Sequence, residues 1–92
     1  MGEPRFVTWR RRLRRSDLTI GAIEVGCLIR DRMDDLFFEG YLTPQVLSDE
    51  CLATPSMIEK LILELELEGW LVVDGDLHLN PQYLLVVPEV VE

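Results

Sequence analysis

The sequence predicts a mainly α-helical domain that closes with a small β-hairpin, and three observations carry that expectation. Two Thr-Pro pairs, at 43–44 and 54–55, each set an N-capping hydroxyl before a proline at the first helical position. Ile58, Leu61, Ile62 and Leu65 recur at the i, i+3, i+4, i+7 spacing of one helical face. Asp74-Gly75-Asp76 separates two runs of β-formers, Leu71–Val73 and Leu77–Leu79, which is a strong short-range hairpin signal.

Taken in order, residues 5–15 read RFVTWRRRLRR and end at Ser16-Asp17. Trp9 and Leu13 lie four apart and share one face of a short helix, with arginines around its other sides and Thr8 as the expected N-cap. The run TIGAIEVGCLIRDRMDDLFF then predicts a longer helix capped by Thr19. Its first half is apolar nearly all round (Ile20, Ala22, Ile23, Val25, Cys27, Leu28, Ile29), as befits a helix at the centre of a domain. Gly21 and Gly26 each cost about 1 kcal/mol of helix propensity relative to alanine, and they let a neighbouring element come close. Arg30 to Asp35 carry the second half into solvent, and Gly40 breaks the pattern.

The segment TPQVLSDECL predicts a helix of two to three turns with Val46, Leu47 and Cys51 inward and Leu52 as a further inward candidate. A short turn at Ala53-Thr54-Pro55 leads into SMIEKLILELELEG, the third helix after the basic segment, which Gly69 ends. Beyond the hairpin, QYLLVVPEVVE is apolar and β-branched. Pro88 excludes it from a central strand, leaving edge pairing or docking on a partner.

Composition sets the bounds. Ninety-two residues with 48% hydrophobic side chains and a mean hydropathy of +0.12 support one domain with its own core. They are too few for a two-domain enzyme or a dinucleotide-binding sheet. The net charge of −8 argues against a generic nucleic-acid coat. That charge is unevenly placed: residues 1–15 hold six arginines and one acid, a net of +5, whereas residues 16–92 carry a net of −13. The expected plan is a basic N-terminal segment over 1–18 and a folded domain over 19–92 with a short C-terminal tail.

Cys27 and Cys51 sit in apolar contexts and match no metal or redox spacing, so free buried thiols are expected. No run reaches the roughly 20 apolar residues that span a bilayer, and no signal-peptide pattern follows the charged start. The expectation is a soluble cytoplasmic protein with no membrane contact.

Helix, short turn, helix and hairpin in that order form the winged helix-turn-helix plan, and TPQVLSDECLATPSMIEKLILELELEGWLVVDGDLHLNP resembles that superfamily. The matching residues are Ile58, Leu61, Ile62, Leu65, Glu66, Gly69 and Trp70, in an L-x-x-L-E-x-x-G pattern before the wing. Upstream, WRRRLRRSDLTIGAIEVGCLIRDRMD resembles the lead-in of helix-turn-helix proteins common in actinobacteria and their phages. LILELELEGW is also similar to the C-terminal winged helix of the bacterial DNA-processing protein used in natural transformation. The resemblance implies that the third helix enters the major groove, with Pro55, Ser56, Met57, Glu59 and Lys60 at the contact positions.

Two functional readings follow. In the first, the chain is a small DNA-binding regulator of phage or mobile-element type. Arg10, Arg11, Arg12, Arg14 and Arg15 supply phosphate affinity, and Ser56, Met57 and Lys60 touch bases of double-stranded DNA. The second rests on acids where DNA readers carry bases: Glu59, Glu64, Glu66 and Glu68 on the third helix, Asp74 and Asp76 at the wing tip. Here an acidic winged helix binds or inhibits a basic or DNA-binding protein. The arginine run by itself has two other readings besides nucleic acid: pairing with the chain's own acidic body, or contact with an acidic protein.

Leu63 and Leu67 lie off the core stripe and form an apolar strip with Met57, used as an interface by a homodimer or covered by the tail or the N-terminal segment. His78 stands alone, and Glu64 and Glu68 lack a third ligand, so neither a metal nor a cofactor is expected. With no nucleophile beside a base, no Gly-rich phosphate loop and no zinc motif, an enzyme is not expected.

Overall fold

Local capping chemistry sets where three of the helices start. The computed structural model describes residues 5–35 and 40–88. Among them it contains four helices, α1 (Arg5–Arg14), α2 (Ile20–Met33), α3 (Pro44–Glu50) and α4 (Pro55–Leu67). Two strands follow, β1 (Leu71–Asp74) and β2 (Gln82–Leu85). Thr19, Thr43 and Thr54 hold extended backbone, and their hydroxyls accept from the N–H groups of Ala22, Val46 and Met57. Each bond satisfies a donor that the first helical turn leaves orphaned. Pro44 and Pro55, with no N–H to satisfy, open α3 and α4.

The core lies around α2, which packs against α1, α3 and α4. Ala22, Val25, Cys27 and Ile29 of α2 meet Leu47 of α3, Ile58, Ile62 and Leu65 of α4, and Leu71, Tyr83 and Leu85 of the hairpin in one buried cluster. Trp9 and Leu13 belong to the same cluster, so the basic helix α1 is seated on the domain by its apolar face. Gly26 makes that seating close: a Cβ there would lie 2.8 Å from Leu13 Cδ2 and 3.3 Å from Trp9 Cη2. The Trp9 indole N–H donates to two carbonyls, Trp70 O and Val86 O, both at 2.9 Å. Its ring meets that of Trp70 edge to face, with centroids 6.3 Å apart.

The strands pair antiparallel in the register Leu71↔Leu85, Val72↔Leu84, Val73↔Tyr83 and Asp74↔Gln82. Alternation along the strands sends Leu71, Tyr83 and Leu85 to the core and leaves Val72 and Leu84 exposed outside. The Tyr83 hydroxyl donates to Leu42 O at 2.6 Å, tying the hairpin to the segment that leads into α3.

Four local expectations are corrected. Thr8 does not cap α1, which begins at Arg5 and carries Thr8 in its interior. The second helix ends at Met33 with Asp34 as C-cap; consecutive aspartates at the negative end of a helix dipole favour that stop. The expected extension over Leu36–Phe38 and the tail beyond Pro88 lie outside the described residues. Leu52 points outward and is exposed, because extended backbone at Cys51 turns the chain away from the core after α3.

The fourth correction concerns the hairpin. Its second strand is Gln82–Leu85 rather than Leu77–Leu79, which lies in the connecting loop. Asp76 is the cause. Its side chain accepts the His78 N–H at 2.9 Å, and its carbonyl accepts from Leu79 and Asn80 N–H, which winds residues 77–79 into a turn. The Asn80 side chain closes the loop onto the Asp76 N–H. Gly75 has φ +84°, and a Cβ there would lie 2.7 Å from Asn80 O. Pro81 delays the ladder until Gln82. The result is a mainly α domain with a small β-hairpin in the winged helix-turn-helix arrangement: α2, α3 and α4 form the helical core, and β1–β2 the wing. Among the described residues no helix is long and apolar enough to cross a membrane.

Candidate nucleic-acid and protein-docking surfaces

With Trp9 and Leu13 turned inward, the 100° step of the helix throws Arg10, Arg11 and Arg14 onto the outer side of α1. There they meet Arg30 of α2, and Arg10, Arg11, Arg14 and Arg30 together line an open cleft of about 400 Å³. Arg30 lies far along the chain from the basic run, so the sequence pattern does not join it to the other arginines. Only the packing of α1 on α2 brings it in. Its place in the last turn of α2, beside a helix rich in arginine, was the available signal.

Some of this charge is answered internally. Asp31 is shared by Arg10 at 3.3 Å and Arg30 at 3.5 Å, and Arg30 also reaches Asp34 at 3.2 Å. Arg12, Arg14 and Arg15 are exposed and make no ion pair among the described residues. Exposed pairs of this kind contribute about 0–1 kcal/mol. The face therefore keeps guanidinium groups available to an anionic partner.

The outer face of α4 is of another kind. Ile58, Ile62 and Leu65 are buried, and Ser56, Lys60, Leu63 and Leu67 fall on the opposite side, all exposed. Leu63 retains 51% and Leu67 76% of its accessible surface, a large apolar area for a helix whose inner face is already packed. Met57 is exposed too, but it lines a groove with Gly21 and Leu61 on the α2 side, away from Ser56 and Lys60. The expected contact set thus divides between two sides of the helix.

The glutamates of α4 have individual tasks that i, i+2, i+4 spacing did not reveal. Glu64 accepts the Thr19 N–H at 2.9 Å and the Thr19 hydroxyl at 3.0 Å, placing a carboxylate at the positive end of α2. Glu66 accepts the Val73 N–H of β1 at 3.2 Å. Glu59 lies 3.5 Å from His78 Nε2, an exposed contact between α4 and the loop. Glu59 and Glu66 therefore flank the leucines on the hairpin side, and Glu64 on the α2 side.

Between α4 and the hairpin runs a groove of about 300 Å³, lined by Glu59, Ile62, Leu63, Glu66, Val73 and Leu77. Asp74 and Asp76 are exposed at the far end of the hairpin.

Elsewhere, Cys27 and Cys51 are both free, but only Cys27 is buried; Cys51, expected to be buried too, is half-buried at the end of α3. Burial first, then the charges of Glu24 and Glu50, push the Cys51 thiol above its ordinary value. Arg32 joins α2 to α3 through Glu50, with its Nε at 2.7 Å from Oε2. Among the described residues no group of three or more His, Cys, Asp or Glu side chains is arranged to hold a metal ion. Comparison with protein-family models, curated proteins and solved structures returned no match.

Proposed function

We propose that this chain is a small DNA-binding regulatory protein of winged-helix type that grips the duplex through its phosphates. The observation that carries this reading is the convergence of Arg10, Arg11 and Arg14 with Arg30 around one open cleft. Guanidinium groups are planar, permanently charged and matched to phosphate oxygens, and each neutralised phosphate releases condensed counterions. Arg12 and Arg15 extend the charged surface along α1. Ser56 and Lys60 on α4 are available for weak contacts to bases. The carboxylates flanking them oppose close approach, since each like-charge encounter at 4 Å costs about 1 kcal/mol in water and more near a surface. Affinity then comes mainly from the backbone of the duplex and only weakly from its sequence.

The test is binding to a random duplex pool between about 50 and 200 mM salt. The wild type is compared with R10A/R11A/R12A/R14A/R15A and, separately, with R30A. The wild type should bind tightly and lose affinity steeply with salt. The slope of log K against log salt should fall by about 0.9 for each phosphate contact removed. R30A should weaken binding although it lies outside the basic run. Absence of binding at the lowest salt overturns the proposal.

A further inference from the structure

We infer that the outer face of α4 docks a basic amphipathic helix of a partner protein. The inference rests on the leucine stripe and its groove rather than on the arginine cleft; it shares the outer side of α4 with Ser56 and Lys60, and it stands whether or not the arginines bind DNA. Leu63 and Leu67, four apart and both exposed, present the anchor spacing that one helix offers another. Beside Leu63 the groove of about 300 Å³ between α4 and the hairpin provides an apolar floor of Ile62, Val73 and Leu77. An apolar stripe with an adjoining recess marks an interaction site more clearly than a scattered leucine does.

Charge selects the occupant. Carboxylates border the stripe on both sides, Glu59 and Glu66 towards the hairpin and Glu64 towards α2, and Lys60 is the one basic residue of α4. A helix with leucine-type anchors flanked by lysine or arginine meets this face with complementary charge on both borders. A second copy of the chain fits poorly, because pairing α4 with α4 brings the Glu59–Glu66 borders together with only Lys60 in compensation. The chain's own basic helix cannot serve, since the apolar side chains of α1, Trp9 and Leu13, are already buried in the core. Duplex DNA meets the same carboxylates with phosphates.

The proposal is tested by fluorescence anisotropy with the full chain and two short labelled helical peptides. One carries leucines on one face flanked by lysines; in the other, glutamates replace the lysines. The leucine–lysine peptide should bind at least about tenfold more tightly than its counterpart. Leu63→Gln with Leu67→Gln should weaken it by about tenfold or more. Helical circular dichroism and the unfolding midpoint should stay unchanged in that variant, since both side chains already face solvent. Asp35→Asn with Asp49→Asn, which removes two charges that border neither the leucine stripe nor the groove, should leave binding as it was. Equal binding by the leucine variant, or an equal loss in the aspartate variant, would reduce the effect to general acidity and overturn the site. A dimer of the chain alone in sedimentation velocity, dissolved by the leucine substitutions, would assign the face to a second copy instead. Displacement of the bound peptide by duplex DNA from the wild type and from the N-terminal arginine variant alike would give the face to DNA.

Discussion

The surfaces carried by α1 and α4 are attached to the same core by different means. α1 is held by a large aromatic anchor: Trp9 is 1% exposed and bonds two carbonyls distant in sequence, so the arginines around it ride on a deeply planted helix. α4 is planted by a three-residue apolar stripe and then tied sideways by its own carboxylates, Glu64 to Thr19 and Glu66 to Val73. In α1, Arg10, Arg11, Arg12 and Arg14 lie outside the apolar anchor, and Arg12 and Arg14 make no ion pair among the described residues. In α4 two of the charged residues do the anchoring, and the leucines are left over. Sequence composition alone suggests a basic arm and an acidic body; the structure assigns opposite duties to charge on the two faces.

The largest expected effect tests the anchor of α1. Trp9→Ala should cost about 3–5 kcal/mol in urea unfolding, and Trp9→Phe should recover part of that while removing the indole donor from Val86 O; Trp70 O keeps the Val86 N–H. A loss below about 1 kcal/mol would be typical of a surface site and would mean that α1 is not seated on the core, which ends the comparison.

A smaller effect is expected at the hairpin. Tyr83→Phe should cost about 1–2 kcal/mol through the lost bond to Leu42 O. Burial raises the Tyr83 hydroxyl above its ordinary value near 10, so in the folded state it holds its proton where the unfolded chain has released it. Its stabilising contribution is complete below pH 10 and is lost as pH rises from there towards the folded-state value. Unfolding measured across that window should show a falling limb that Tyr83→Phe flattens.

Least is expected of the sideways tie. Glu64→Ala should cost about 0.5–1 kcal/mol, since it removes an exposed bond to the first turn of α2. Fraying of that turn should appear as faster amide exchange near Thr19. An unchanged exchange rate would show that Glu64 is merely solvated and that α4 differs less from α1 than the geometry indicates.

Much of this fold was legible because its determinants are local. Thr19, Thr43 and Thr54 cap the helices they precede, and Ile58, Ile62 and Leu65 turn inward as their spacing requires. Leu61, the fourth member of that stripe, is only partly buried. The departures arise where a side chain competes with the backbone pattern. Asp76 captured the His78 N–H and displaced the expected strand, a contest that alternation of β-formers does not register. Leu52 followed the extended backbone at Cys51 out into solvent although its neighbours read as helical. For the surfaces, the arginine run was visible as composition, but Arg30 became part of it only through packing. The separation of Met57 from Ser56 and Lys60, and the tasks of Glu64 and Glu66, likewise depend on which element lies beside α4.

The two acceptors of the Trp9 indole lie 61 and 77 residues further along the chain. Contacts of such separation carry the largest loop-closure entropy and form after local helices and turns. During synthesis α1 emerges together with α2, but the acceptors of its indole are in place only once Trp70 and Val86 have been made and the hairpin has closed. A chain that stops short of Val86 thus carries its arginines on an incompletely seated helix. The assembled basic surface is a late product of folding, present only once nearly the whole described chain is in place.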